Sequence, residues 1–345
     1  MIIRTLIPRK ENTYSSFPSI VEHRDKLYVY YRQGQRDPVQ CHGLYGKVRC
    51  FVIEKEIFLR QFSESPDESL LPLGKDYVVF ESINEIDSIA TRLDDNLFTL
   101  STRTYVRDKI GRTYISYSKT PVFHNRHEVE LKEALWVVFY GKPFKWARGF
   151  VFTAYGVLRG ESRQSSLVLY TEDFHSWSLL SRVQGTEEPG GEIVFNECTI
   201  AGDGVKYTMY LRQDSYPYGI WYAKSEDLNN WSPPVKLLSC AHAPCVAVRG
   251  CNVYLTFRNL IDEYTSAIAI IQPFIERSPI EIERYSGDPF DGGYSDTAFI
   301  EDKLYVVYYR GNTYGEPDIR VACLDGDYDI TGGWGGSCFS ACSTY

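Results

Sequence analysis

The segment Ser295-DTAFIEDKLYVVYY-Arg310 decides the fold. It reads as a short apolar strand, a polar Glu-Asp-Lys turn, and a second strand that ends on an arginine. Two apolar runs joined by a tight polar turn make a β-hairpin. Four more segments of the same length lie over it when aligned backwards from the arginine: Phe17-PSIVEHRDKLYVYY-Arg32, Ser88-IATRLDDNLFTLST-Arg103, Glu197-CTIAGDGVKYTMYL-Arg212 and Ala243-PCVAVRGCNVYLTF-Arg258. A sixth, Phe150-VFTAYGVL-Arg159, shares the ending but not the approach to it.

Working outward, the arginines stand at 32, 103, 159, 212, 258 and 310, in steps of 71, 56, 53, 46 and 52 residues. A period of roughly 40–55 residues with several strands per unit marks a propeller of four-stranded blades. Strand material after the arginines, such as Ser166-LVLYT and Gly219-IWYAKS, supplies third and fourth strands. The expectation is all-β: one six-bladed propeller with blades at roughly 15–65, 68–130, 134–190, 193–240, 242–285 and 290–330, and residues 1–8 closing the last blade. The stretch from Arg126 to Leu135 is the one helix candidate. Thr171-EDFHSW and Ser225-EDLNNW read as repeated hairpin locks.

Composition agrees with strands. The 345 residues include 27 Tyr, 18 Phe and 6 Trp against 2 Met, and aromatic side chains favour a pleated, half-buried surface. A net charge of −8 argues against a nucleic-acid partner. No run of 18 apolar residues suggests a membrane span, and the start Met1-IIRTLIPR is too short and charged for a signal peptide. No metal-ligand cluster or phosphate-cradling glycine loop is present, so no cofactor is expected. The nine cysteines, Cys338 and Cys342 among them, form no zinc-type pair.

In an antiparallel hairpin the start of the first strand lies beside the end of the second. The geometry therefore gathers Arg32, Arg103, Arg159, Arg212, Arg258 and Arg310 on one face. Asp87, Glu197 and Tyr294 sit beside them at the starts of inner strands. An arginine at a repeat position either serves a ligand or braces a neighbouring carboxylate or carbonyl. Six facing cations repel unless something acidic lies among them.

These hairpins resemble the sialidase superfamily. The resemblance rests on Phe195-Asn-Glu-Cys with Tyr210-Leu-Arg212, on Ala243-Pro244 leading to Phe257-Arg258, on Gly292-Gly-Tyr-Ser295, and on Ser225-x-Asp227 with Trp231, similar to a shortened Asp-box. It implies a glycosidase for a terminal acidic sugar, with Tyr294 as nucleophile, Glu197 as its base, and Arg212 and Arg258 as carboxylate clamps. It further implies Arg32 in the pocket, Asp37 as the acid, and Asp87 on the sugar; Arg103 and Arg310 join the substrate-binding set. A tyrosine suits this chemistry because a carboxylate nucleophile would be repelled by the acid on the anomeric carbon.

The sequence departs from that family where Ser16-Phe17-Pro18 replaces Arg-Ile-Pro, which removes one clamp arginine. His42, close to Asp37, is a second candidate acid. Three alternatives stay open. Asp87, Glu197 and Asp296 could form the carboxylate set of a five-bladed arabinanase- or levanase-type enzyme. The tyrosine and histidine could serve a uronate lyase. The propeller could also bind carbohydrate without turnover.

Overall fold

The computed structural model describes residues 1–37, 42–63, 74–106, 109–188, 191–275, 278–286, 291–311 and 316–324. Cys338 and Cys342 lie outside them. Six main sheets follow one another along the chain, each an antiparallel meander. Blade one holds Thr13–His23, Lys26–Gln35, Leu44–Glu54 and Lys75–Glu81, and blade two Glu85–Asp94, Leu97–Val106, Lys109–Ser118 and His127–Glu128. In blade three, Ala134–Phe139 and Phe144–Trp146 both pair with Gly149–Leu158, followed by Gln164–Thr171 and Ser178–Val183. Blade four is Phe195–Gly202, Tyr207–Gln213, Gly219–Ser225 and Val235–Ser239; blade five is Ala241–Arg249, Asn252–Leu260, Thr265–Ile271 and Ile280–Ser286. Blade six has Ser295–Ile300, Lys303–Arg310 and Asp318–Leu324, and takes its outermost strand, Ile2–Ile7, from the other end of the chain. The molecule is a six-bladed β-propeller.

Strand periodicity explains the ring. Successive side chains of a strand point to opposite faces. In Lys303–Arg310, Tyr305, Val307 and Tyr309 join a core with Leu27, Val29 and Tyr31 of blade one. The intervening Leu304, Val306 and Tyr308 join a second core with Ile268 and Ile270 of blade five. Each blade is thus buried on both faces, which is why its second strand reads as a continuous apolar run.

One open alternative and one expectation are corrected. The sheets number six, not the five of an arabinanase-type ring. Arg126 to Leu135 is not helical: Val129 and Leu131, two residues apart, are both buried in one core, the spacing of extended chain. The helix in the described chain is the six-residue Lys55–Arg60, which buries Phe58, and no described helix is long and apolar enough to cross a membrane.

The two hairpin locks are alike. Asp173 Oδ1 accepts N–H groups of His175 (2.8 Å) and Ser176 (2.7 Å), and Asp227 Oδ1 those of Asn229 (2.9 Å) and Asn230 (2.8 Å). These backbone donors lower both carboxyls to about 2. A lowered carboxyl contributes stability above its unfolded pKa, near 3.9, that is lost as pH falls through the folded value. The double variant Asp173→Asn, Asp227→Asn is therefore expected to show a shallower fall of thermal midpoint between pH 4 and 2 than wild type.

Removing residues 1–8 strips the closing strand from Asp318–Leu324 and leaves an open edge. We expect the thermal midpoint to drop by roughly 10 °C or more, measured by near-ultraviolet circular dichroism.

Candidate functional site

At the axis, the starts of the inner strands meet the ends of the second strands and enclose a pocket. Its wall includes Phe17, His42, Asp87, Arg103, Tyr140, Lys142, Tyr155, Glu197, Cys245, Tyr294 and Asp296. The cavity is about 80 Å³. At roughly 10–15 Å³ per water this holds a handful of waters, so the cavity suits a small compact guest rather than an extended one.

The centre is a buried ion pair with a tyrosine on it. The hydroxyl of Tyr294 donates to Glu197 Oε1 at 2.7 Å and accepts from Arg212 Nη1 at 2.9 Å. Arg212 Nη1 also pairs with Glu197 Oε2 at 2.6 Å, and Nη2 with Asp214 Oδ1 at 2.6 Å. Glu197 and Arg212 face each other because an inner-strand bulge between Phe195 and Cys198 turns Glu197 toward the axis. Removal from water, then the charge of Glu197, pushes the Tyr294 hydroxyl far above the usual tyrosine range, against Arg212 and Arg258. Tyr294 therefore holds its proton in this arrangement.

The other arginines divide. Arg103 lines the pocket, pairs with Asp87, and donates to the Tyr155 hydroxyl at 3.2 Å. Burial raises the Asp87 carboxyl, and Arg103 opposes that shift. Arg258 lies behind Tyr294, its guanidinium 5.5 Å from the ring centre, with Nη1 donating to the Gly292 carbonyl at 2.6 Å and Nη2 3.2 Å from His242 Nδ1. Arg32 is off the wall and braces the seam between blades one and two. It donates to the carbonyls of Glu85 (2.6 Å), Gly43 (3.1 Å) and His42 and to Asn84 Oδ1 (3.0 Å). Arg310 pairs with Asp318 (2.8 Å) and Glu283 (3.3 Å), and Arg159 donates to the Lys132 carbonyl at 2.8 Å. Asp37 is half-buried and does not line the pocket, whereas His42 does.

Several groups escaped the sequence reading. Lys142 reaches from blade three across the axis to Asp296 Oδ1 (2.8 Å) and the Thr297 carbonyl (2.9 Å) of blade six. Asp296 Oδ2 meanwhile accepts the Ile20 N–H of blade one at 2.7 Å. Gly141 permits this path: its φ is +77°, and a Cβ there would sit 2.7 Å from Thr153 Oγ1. Tyr155 stands on the pocket wall near the end of blade three's second strand, as Arg103 does in blade two. The only signal was the broken hairpin around residue 150. Cys245 borders the pocket, but burial and then Asp296 push its thiol up to about 12, so it is not a nucleophile near neutrality. Among the described residues no three His, Cys, Asp or Glu side chains converge on a metal position.

No protein-family model matches the sequence, and no curated protein does. Solved structures do. A protein of unknown function from Dyadobacter fermentans superposes with a TM-score of 0.74 at 13% identity, over 94% of this chain and 99% of that one. A Trypanosoma rangeli sialidase with 2,3-difluorosialic acid as a covalent intermediate gives 0.63 at 11%, over 92% of this chain and 58% of that one. The haemagglutinin-neuraminidase of parainfluenza virus 5 with the ligand DANA gives 0.59 at 10%, over 93% of both. The ring is a sialidase-like propeller. This chain spans little more than half the length of the trypanosomal enzyme, and at these identities the likeness is one of fold.

Breaking the central ion pair leaves buried carboxylates unpaired. Arg212→Met is expected to cost about 3–5 kcal/mol in urea unfolding. Adding Glu197→Gln should recover part of that loss, since one stranded charge is removed.

Proposed function

We propose that this chain is a glycan-active propeller, a retaining glycoside hydrolase of sialidase type that holds one terminal acidic sugar in the axial pocket. One observation carries the reading: the Tyr294 hydroxyl is bonded at once to Glu197 at 2.7 Å and to Arg212 at 2.9 Å, at the edge of a cavity suited to a small compact guest. Attack of the phenol oxygen on the anomeric carbon passes its proton to Glu197, and Arg212 stabilises the charge that develops on the oxygen. A neutral nucleophile spares the repulsion a carboxylate would meet from an anomeric acid. Arg212 and Arg258 flank the tyrosine and Arg103 stands on the wall, so the local field favours an anion even though the whole chain is acidic. Structural neighbours with sialic acid-type ligands support the same substrate class.

A second reading, sugar binding without turnover, is favoured by a different observation. Ser16 stands where the resemblance implied an arginine, its neighbour Phe17 is on the wall, and Arg212 and Arg258 are already hydrogen-bonded within the protein. A clamp that must exchange partners binds an acid more weakly.

A fluorogenic aryl sialoside separates the two. Wild type is expected to release the aryl alcohol, and Tyr294→Phe to lose roughly 10³-fold in kcat while KM or calorimetric affinity changes little. Binding by wild type without any release would establish the second reading instead.

A further inference from the structure

We propose that His42 carries the proton that leaves and re-enters this pocket, held in place by a relay through Tyr14 to Asp291. The proposal rests on the Tyr294 reading for its chemistry but on separate residues for its geometry.

The three groups come from distant parts of the chain and meet beside the pocket. His42 borders it, edge-on to Phe17 with ring centres 4.9 Å apart, and Phe17 is in turn edge-on to Tyr294 at 5.0 Å. His42 Nδ1 is 3.4 Å from the Tyr14 hydroxyl, and that hydroxyl donates to Asp291 Oδ1. The backbone is pinned as well. His42 has a φ of +72°, and Arg32 donates to its carbonyl. Such a conformation is disfavoured for a residue with a side chain and persists only where its surroundings impose it.

Counting hydrogens sets the tautomer. A phenol has one proton, and Tyr14 gives it to Asp291, so its oxygen faces His42 as an acceptor. Nδ1 of the imidazole then carries hydrogen and Nε2 carries the lone pair. A base oriented by a third group through its other nitrogen is a recurring device for moving protons.

The steps balance over one cycle. As the bond from the anomeric carbon to the leaving oxygen breaks and the bond to Tyr294 forms, Glu197 takes the phenol proton and the His42 imidazolium protonates the leaving oxygen. Water then adds to the anomeric carbon and the bond to Tyr294 breaks. Glu197 returns the phenol proton, and His42 Nε2 takes the proton of the water, restoring the imidazolium. Arg32, Arg103, Arg258 and Arg212 act on His42, Asp87, Glu197 and Asp296 share the pocket wall with it, and Asp291 sits on its Tyr14 partner. Burial and then those arginines hold the imidazole well below its usual range, which makes its imidazolium a stronger acid toward the leaving oxygen.

The test has two arms. Nitrogen-15 NMR of His42 in the full-length protein needs no substrate: Asp291→Asn is expected to move its titration to lower pH by roughly half a unit or more, and an unmoved titration overturns the relay. With the aryl sialoside, His42→Gln is expected to keep a burst of aryl alcohol and slow the following steady state by roughly 10²–10⁴-fold. A steady state at the wild-type rate overturns the role of His42. Tyr14→Phe keeps the ring and removes only the hydroxyl. It is expected to shift the pH limb of kcat/KM downward in the same sense as Asp291→Asn, and it serves if His42→Gln does not fold. Wild type without turnover overturns the glycosidase reading, and the NMR arm still decides the relay.

Discussion

A closed ring imposes one constraint on everything inside it: the first strand of every blade lies at the axis, and residues from the starts of those strands face one another across a shared pocket. The outer parts of each blade meet the constraint with alternating apolar faces, as in Tyr305, Val307 and Tyr309 against one neighbour and Leu304, Val306 and Tyr308 against the other. At the axis itself the strands cannot all be apolar and still leave a usable space. Polar side chains gather there and must satisfy one another.

That requirement accounts for the pairing of the pocket. Asp87 with Arg103, Glu197 with Arg212 and Asp296 with Lys142 are each an acid from one blade's inner strand answered by a cation nearby. Buried charges are tolerated only when paired and hydrogen-bonded. The couples offset one another's charge, Arg258 behind Tyr294 adds a further cation, and a third group, Tyr294, joins one of the pairs. The site is less a ring of free cations than three neutralised couples, one of which holds a phenol.

Much of the ring was legible because a hairpin announces itself locally: apolar run, polar turn, apolar run, arginine. Glu197, Arg212 and Tyr294 were legible for the same reason, since each occupies a fixed place in that repeat. What the repeat does not fix is the partner of a side chain. Arg32 and Arg212 end equivalent strands, yet Arg32 turns into the seam toward the carbonyl of Glu85, a residue of the next blade, while Arg212 turns to the axis. That choice is made by neighbours some fifty residues away in sequence, where short-range patterns carry no information. Blade three hid more. Its split inner strand lacks the usual run-in, so Lys142 and Tyr155 had no register to be counted from. The grouping of Tyr14, His42 and Asp291 is likewise visible only once three segments are brought together.

The Lys142–Asp296 couple has a mechanical consequence. It joins opposite blades, and through the Ile20 N–H it also catches blade one, so it acts as a tie-rod across the hub of the wheel. A hub tied in this way resists becoming oval.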